Sequence, residues 1–249
     1  MTHSFSGSGP GIQTPDGCSV ELYRMLPYMG ELDDIETALK GHPAALELGC
    51  GNGRLCAQMV KLGLQVTGVD ESAEMLAYLP LEVEGVLSSI GELHLDRQWS
   101  AVLLPSHLIN HPEQDVRSAF IAAARRHTSP AGNFFVKRHN PVWLETVQPG
   151  LIGNSHGVTY YAEQVARQGN RVTMTLRYET SGKRWTQSFS TTALSEEEVQ
   201  DQLSQCGFGH FQWFGPKRLW ISAVARLPMG DRARDGHQPQ HADRQSLIG

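Results

Sequence analysis

The sequence predicts an α/β fold: a doubly wound, mostly parallel sheet with a small antiparallel β insertion after its fifth strand. Three observations predict it. Short apolar segments alternate with amphipathic helical patterns between residues 45 and 137, which calls for crossover connections and parallel neighbours. A glycine cluster, Gly49, Gly51 and Gly53, lies between the first of those segments and the helix after it. Beyond residue 155 the alternation gives way to extended segments separated by turn pairs, the mark of hairpins.

Taken in order, residues 19–28 and 32–39 read as helices ahead of the sheet. Residues 45–48 form the first strand, 54–62 a helix, and 65–69 the second strand, ending at Asp70. Ser72 caps a helix over 73–79. Residues 83–87 and 101–104 are the third and fourth strands. Residues 113–127 are a helix, with Pro112 suited to its first turn, acids at its start and Arg125, Arg126 and His127 at its end. Residues 132–137 are the fifth strand. The insertion follows as strands 157–163, 171–179 and 183–191, with turns at Gly169-Asn170 and Ser181-Gly182. Ser195 and Glu198 form a capping box that opens a helix to Gln205, with Gly207 as its stop. Residues 211–213 and 219–227 read as a closing strand pair. The organisation expected is a disordered stretch over 1–15, one domain over 16–228 with 155–192 as its cap, and a disordered tail over 229–249, charged and poor in large apolar residues.

Bulk properties narrow the function. The chain has 249 residues, 40% of them hydrophobic, enough for a sizeable core. Its formal net charge of −5 argues against nucleic acid as the partner. No apolar run is long enough to span a bilayer, and the polar, glycine- and serine-rich start lacks the pattern of a secretory signal. Four cysteines show no CxxC pair and no disulfide framework, so a reduced, cytoplasmic protein with no membrane partner is expected. His94, Asp96 and His127 lack metal-ligand spacing, and His237 and His241 in the tail are too sparse for a metal site, so no metal is expected.

The sharpest signal is Glu47-Leu-Gly49-Cys50-Gly51-Asn-Gly53. It closes a strand and opens a helix, and glycine lets backbone approach a ligand without a Cβ clash. Asp70 ends the next strand, where a carboxylate can accept both hydroxyls of a ribose. The spacing is wrong for a pyrophosphate fingerprint, because Gly53 follows Gly51 by two places and position 54 is arginine. No Gly-Lys-Ser/Thr follows, so it is not a P-loop. Glu47 suits a cationic ligand without phosphates. A nicotinamide oxidoreductase is disfavoured by the same spacing.

The run from Ala45 to Asp70, ALELGCGNGRLCAQMVKLGLQVTGVD, with the ESAEML that follows, resembles the first motif, second strand and next helix of class I S-adenosylmethionine-dependent methyltransferases, most closely small-molecule methyltransferases of actinobacterial type. The resemblance extends over roughly residues 18–227, through LLPSHLINH and SFSTTALSEEEVQDQLSQCGF. It implies a Rossmann-like sheet and S-adenosyl-L-methionine as cofactor, with S-adenosyl-L-homocysteine as product. It places Glu47, Gly49, Cys50 and Gly51 along the methionine part of the cofactor, and Gly53 where the helix packs close. Asp70 would hold the ribose hydroxyls, with Glu71 and Met75 near ribose and adenine. Ser89 and Ile90 would occupy the adenine edge, where the family often has an acid. Ser89 accepts a hydrogen bond less strongly than a carboxylate does.

Ligands in open α/β sheets lie beyond the carboxyl ends of the strands. Pro105 and His107 follow the fourth strand, and His139 follows the fifth. Pro105 is expected at the cofactor mouth. His107 and His139 are the candidate catalytic groups, since imidazole can relieve an acceptor of its proton. Either imidazole can instead be a backbone partner, and many such transfers need only alignment. Asn110, Trp143 and Tyr160 are the candidate acceptor-binding residues, with Tyr161 and Trp185 beside them, although aromatics on hairpins more often serve packing. Tyr23, with Arg24, can form a lid over the cofactor or belong to a solvated helix face backed by Leu22 and Leu26. The function expected is methyl transfer to a nitrogen or oxygen of a small molecule, in specialised metabolism. The alternative is an S-adenosylmethionine-binding protein without transfer activity, in a regulatory or scaffolding role.

Overall fold

The computed structural model describes residues 5–227; the tail from residue 229 on, with His237 and His241, lies outside the described residues. Along the chain run β1 (Ser6–Ser8), α1 (Val20–Met25), α2 (Glu36–Leu39), β2 (Ala44–Leu48), α3 (Arg54–Lys61), β3 (Gln65–Asp70), α4 (Ala73–Leu76), β4 (Val83–Leu87), β5 (Trp99–Leu104), α5 (Gln114–His127), β6 (Thr128–Lys137), α6 (Pro141–Thr146), β7 (Gly150–Ser155), β8 (Val158–Gln168), β9 (Arg171–Thr180), β10 (Lys183–Thr192), α7 (Glu196–Gln205), β11 (Phe208–Phe214) and β12 (Trp220–Ala225).

The main sheet has seven strands in the order β11-β12-β6-β5-β2-β3-β4. Its pairs from β6 to β4 are parallel, and β12 and β11 close it antiparallel. The central strands are apolar on both faces because helices cover both. Leu46, Leu48, Val102, Leu104, Phe134 and Val136 face Ile121 of α5 and Leu203 of α7. Ala45, Ala101, Leu103 and Phe135 face Leu39 of α2 and Leu55 and Met59 of α3. This is the doubly wound, mostly parallel architecture the sequence predicts.

The antiparallel insertion is larger than expected. It begins at Gly150, and β7 to β10 join β1 in a second sheet of order β1-β10-β9-β8-β7. One face is apolar: Val172 and Met174 pack with Leu144 of α6, and Tyr178 and Trp185 pack with Leu22 of α1. The other face is polar, with hydroxyl pairs Thr173–Ser190 and Thr175–Ser188 each at 2.8 Å. The period-two alternation of β9 produces both.

Four further expectations change. Residues 5–15 are not disordered: Ser6–Ser8 pair with Thr186–Ser188, and the Trp185 indole donates to the Pro10 carbonyl at 2.8 Å. The first helix stops at Met25, not Tyr28, because Leu26 precedes Pro27 and is driven to extended backbone (φ −73°, ψ 119°). The fourth helix ends at Leu76, not Leu79, ahead of Pro80. Pro112 precedes the cap of α5, which is Glu113, and so lies outside the first turn. Helix α6 went unread although its signal is plain: the Asn140 side chain accepts from the amides of Val142 and Trp143, and Pro141 sits at the first helical position.

Candidate active site

The glycine loop after β2 is held by its own backbone. Gly49 and Cys50 donate to the Val69 carbonyl at 2.8 and 2.9 Å, and Gly53 donates to Cys50. Gly51 donates to Asp70 Oδ2 at 2.8 Å, and Ser72 to Asp70 Oδ1 at 2.9 Å. With those amides committed, the loop offers no ring of free N–H groups for a pyrophosphate. Each Asp70 oxygen keeps a lone pair for a further donor, and burial raises the carboxyl's pKa. Gly51 takes φ +56°, and a Cβ there would meet nothing within 4 Å, so the loop borders open space. Gly49, at φ +72°, is crowded instead: a Cβ would lie 2.6 Å from Leu108 Cδ1 and 3.6 Å from Ile90 Cδ1. The turn after β5 therefore packs directly on the loop. Gly53 is crowded too: a Cβ there would lie 2.5 Å from Leu79 Cδ2 and 2.8 Å from Pro80 Cδ.

Glu47 is buried beneath the loop, where the Cys56 thiol donates to its Oε2 at 2.9 Å. Burial pushes its carboxyl up to about 8, with the nearby Asp70 charge adding to the effect. The folded protein thus binds a proton there more tightly than the unfolded chain does. The stability this contributes is complete below the ordinary carboxyl pKa of 4.5 and is lost as pH rises through about 8. Denaturant melts from pH 5 to 9 should show a decline on the order of a few kcal/mol, and Glu47→Gln should flatten it.

At the other side of the mouth, the turn after β5 places Ser106 and His107 consecutively in the left-handed region, at φ 58° and 63°. Non-glycine residues occupy that region at a cost. The turn sets the His107 ring against His139, with centroids 3.9 Å apart and planes 22° apart, and Trp143 continues the stack 6.1 Å beyond. His107 Nδ1 is buried without a hydrogen-bond partner. Burial, then the charge of Lys137, pushes His139 down to about 4. Burial, with His139 and Lys137 adding, holds His107 well below the ordinary imidazole value. Both rings are neutral near pH 7.

The cap's apolar face packs on α1 and α6. Tyr160 lies on that face with its hydroxyl buried and without a partner. The Arg24 guanidinium stacks 3.8 Å over the Tyr78 ring, drawing α1 across toward the end of α4, and Tyr23 accepts from the Cys18 thiol at 3.4 Å. Leu22 is buried behind them, against Tyr178 and Trp185 of the cap. Glu71 is exposed beside Asp70, Met75 is buried, and Pro105 closes the turn by accepting from Leu108.

Asn110, expected at the acceptor, is committed within the fold. Its amide nitrogen donates to the Thr192 carbonyl at 2.7 Å, its oxygen accepts from the His139 amide at 2.8 Å, and its carbonyl accepts from Thr191. Only 1% exposed, it ties the turn after β5 to the end of β10 and holds the His139 backbone, so both ends of its amide are taken up within the fold. Asn110→Ala should cost roughly 2–4 kcal/mol in a denaturant melt, since it strands two buried backbone groups. Tyr161 and Trp185 also leave the acceptor set. Tyr161 lies under the Arg177 guanidinium at 3.7 Å, and the Trp185 side chain is committed to Pro10. His111 accepts from the Glu113 amide at the start of α5. The sequence alone does not single out Leu108, Lys137 or Glu92. For Lys137 the available signal was a charge at the carboxyl end of a buried strand.

The loop's amides are committed, it borders open space beside the Asp70 carboxylate, and it offers no phosphate cradle. Residues 45–132 match a family model described as a methyltransferase domain. The matched stretch runs from β2 into β6 and includes the glycine loop and Asp70. Among solved structures, the chain is similar to the CcbJ methyltransferase of Streptomyces caelestis (20% identity, TM-score 0.67, covering 83% of this chain and 95% of that one). It is similar to a sugar N-methyltransferase of Streptoalloteichus sp. (18%, TM-score 0.67, 91% and 100%). It is also similar to an S-adenosylmethionine-bound amino pentose methyltransferase of Micromonospora echinaspora (19%, TM-score 0.64, 82% and 94%). At such identities the likeness shows a shared fold. No curated protein sequence matches the chain. Among the described residues, no helix is long and apolar enough to cross a membrane.

Proposed function

We propose that this protein transfers a methyl group from S-adenosylmethionine to a nitrogen or oxygen atom of a small molecule, in specialised metabolism. One observation carries the reading: the neutral His107–His139 stack, set by a strained turn that packs on the glycine loop through Leu108. When bound, the cofactor supplies an electrophilic methyl group on a sulfonium. Gly49, Cys50 and Gly51 line its methionine side, Glu47 supports the loop from below, and Gly53 seats α3. Asp70 takes the ribose hydroxyls, Glu71 and Met75 flank the ribose and purine, Ser89 and Ile90 face the purine, and Tyr23 and Pro105 close the mouth.

The acceptor lies under the cap's inner face, against Trp143 and Tyr160. A neutral imidazole accepts a hydrogen bond from the acceptor's N–H or O–H, which turns a lone pair toward the methyl group and receives the proton as the new bond forms. The likeness to a sugar N-methyltransferase and an amino pentose methyltransferase supports a compact polar acceptor with an amine. The four free thiols suit a reducing, cytoplasmic setting.

The test is release of S-adenosylhomocysteine from S-adenosylmethionine with a panel of amino sugars, amines and alcohols. Release that depends on one acceptor class supports the reading. Tight binding of S-adenosylhomocysteine with no release for any acceptor overturns it.

A further inference from the structure

We propose that Ser89 and Glu92 act as one unit that reads the cofactor's purine, with Glu92 holding the Ser89 hydroxyl proton so that the hydroxyl oxygen faces the ligand only as an acceptor. The inference rests on the cofactor reading above.

Its placement follows from the sheet. Asp70, at the end of β3, fixes the ribose, and the glycine loop lies on the β2 side of that strand. The purine must then extend the other way, over the end of β4, where the turn 88–92 begins. That turn is built in place. The Ser88 amide donates to the Asp70 carbonyl at 3.0 Å, tying the turn to the ribose-binding residue. Arg126 donates to the carbonyls of Gly91 and Leu93 at 3.3 and 3.1 Å, clamping the backbone on both sides of Glu92. The His94 ring nitrogen lies 2.8 Å from the Glu92 carbonyl. Within this frame the Ser89 hydroxyl donates to Glu92 Oε2 at 3.1 Å. Ile90, buried beside it, approaches the Gly49 position and gives the ligand an apolar floor.

A free serine hydroxyl rotates, donating to a carbonyl as readily as it accepts from an amine, and so cannot tell a 6-amino purine from a 6-oxo purine. Commitment of its one proton to a carboxylate removes that freedom. The bond is charge-assisted, and it polarises the oxygen that faces the ligand. The pair does what a single carboxylate at position 89 would do: it accepts from the 6-amino group and leaves a 6-oxo group facing an unpaired lone pair.

The experiment is calorimetric binding of S-adenosylhomocysteine and of S-inosylhomocysteine, its 6-oxo analogue, to the wild type and two variants. The wild type should prefer the amino form by about tenfold or more. Glu92→Ala should bring the two within about threefold, with an unchanged melting temperature because Glu92 is exposed. Adding Ser89→Asp to Glu92→Ala should restore the preference. Wild-type discrimination in Glu92→Ala, or no discrimination in the wild type, overturns the pairing alone. Failure of the wild type to bind S-adenosylhomocysteine overturns the cofactor reading and the pairing together.

Discussion

Asp70→Ala should weaken S-adenosylhomocysteine binding by roughly a hundredfold or more, since hydrogen bonds to a charged group contribute about 1.5–3 kcal/mol each. Two losses combine. The ribose hydroxyls lose their acceptor, and the amides of Gly51 and Ser72 lose theirs. The second loss frees the glycine loop and the start of α4, so the site is less organised before any ligand arrives. Asp70→Asn separates the two. Its amide oxygen can still accept from one of the two backbone N–H groups, but it brings no charge and only one acceptor atom, so binding should fall between the wild type and Asp70→Ala. Calorimetry on all three, with thermal melts to confirm folding, makes the comparison. Near-wild-type affinity in Asp70→Ala would remove Asp70 from the ribose site.

The parts of this protein legible in its sequence are those where local chemistry and tertiary packing agree. The glycine loop, the acid ending β3 and the capping box at Ser195 each announce themselves through backbone requirements that few residues satisfy. The sheet is legible because strands buried on both faces must be apolar. What stayed hidden depends on distant partners. Ser6–Ser8 read as disordered because nothing in a glycine- and serine-rich stretch shows that an edge strand of the cap will pair with it. Strand β7, rich in glycine, lacks the alternation that marks its neighbours. Asn110 drew attention for its position beside the mouth, yet its role is fixed by Thr192 and His139, far away in the chain. Glu92 reads as one more surface acid although its partner Ser89 is three residues away, because the turn that joins them is held by the distant Arg126.

Replacing both imidazoles, His107→Ala with His139→Ala, should lower kcat by about 10²–10⁴, the range general base catalysis contributes, while the affinity for S-adenosylhomocysteine stays within about threefold. The separation is expected because the rings stack on each other and on Trp143, while the glycine loop is held by its own backbone and by Asp70. The pH profile carries the sharper signature. An ordinary imidazole would lose activity as pH fell through 6.5. Burial and the Lys137 charge push His139 down to about 4, so the neutral, proton-accepting form persists and the acid limb of kcat should move well below pH 6. Lys137→Met removes one of the two causes and should bring that limb back toward neutrality, leaving cofactor affinity unchanged. An acid limb near 6.5 in the wild type, or full turnover in the double variant, would exclude the imidazoles as proton acceptors and leave alignment under the cap as the source of rate.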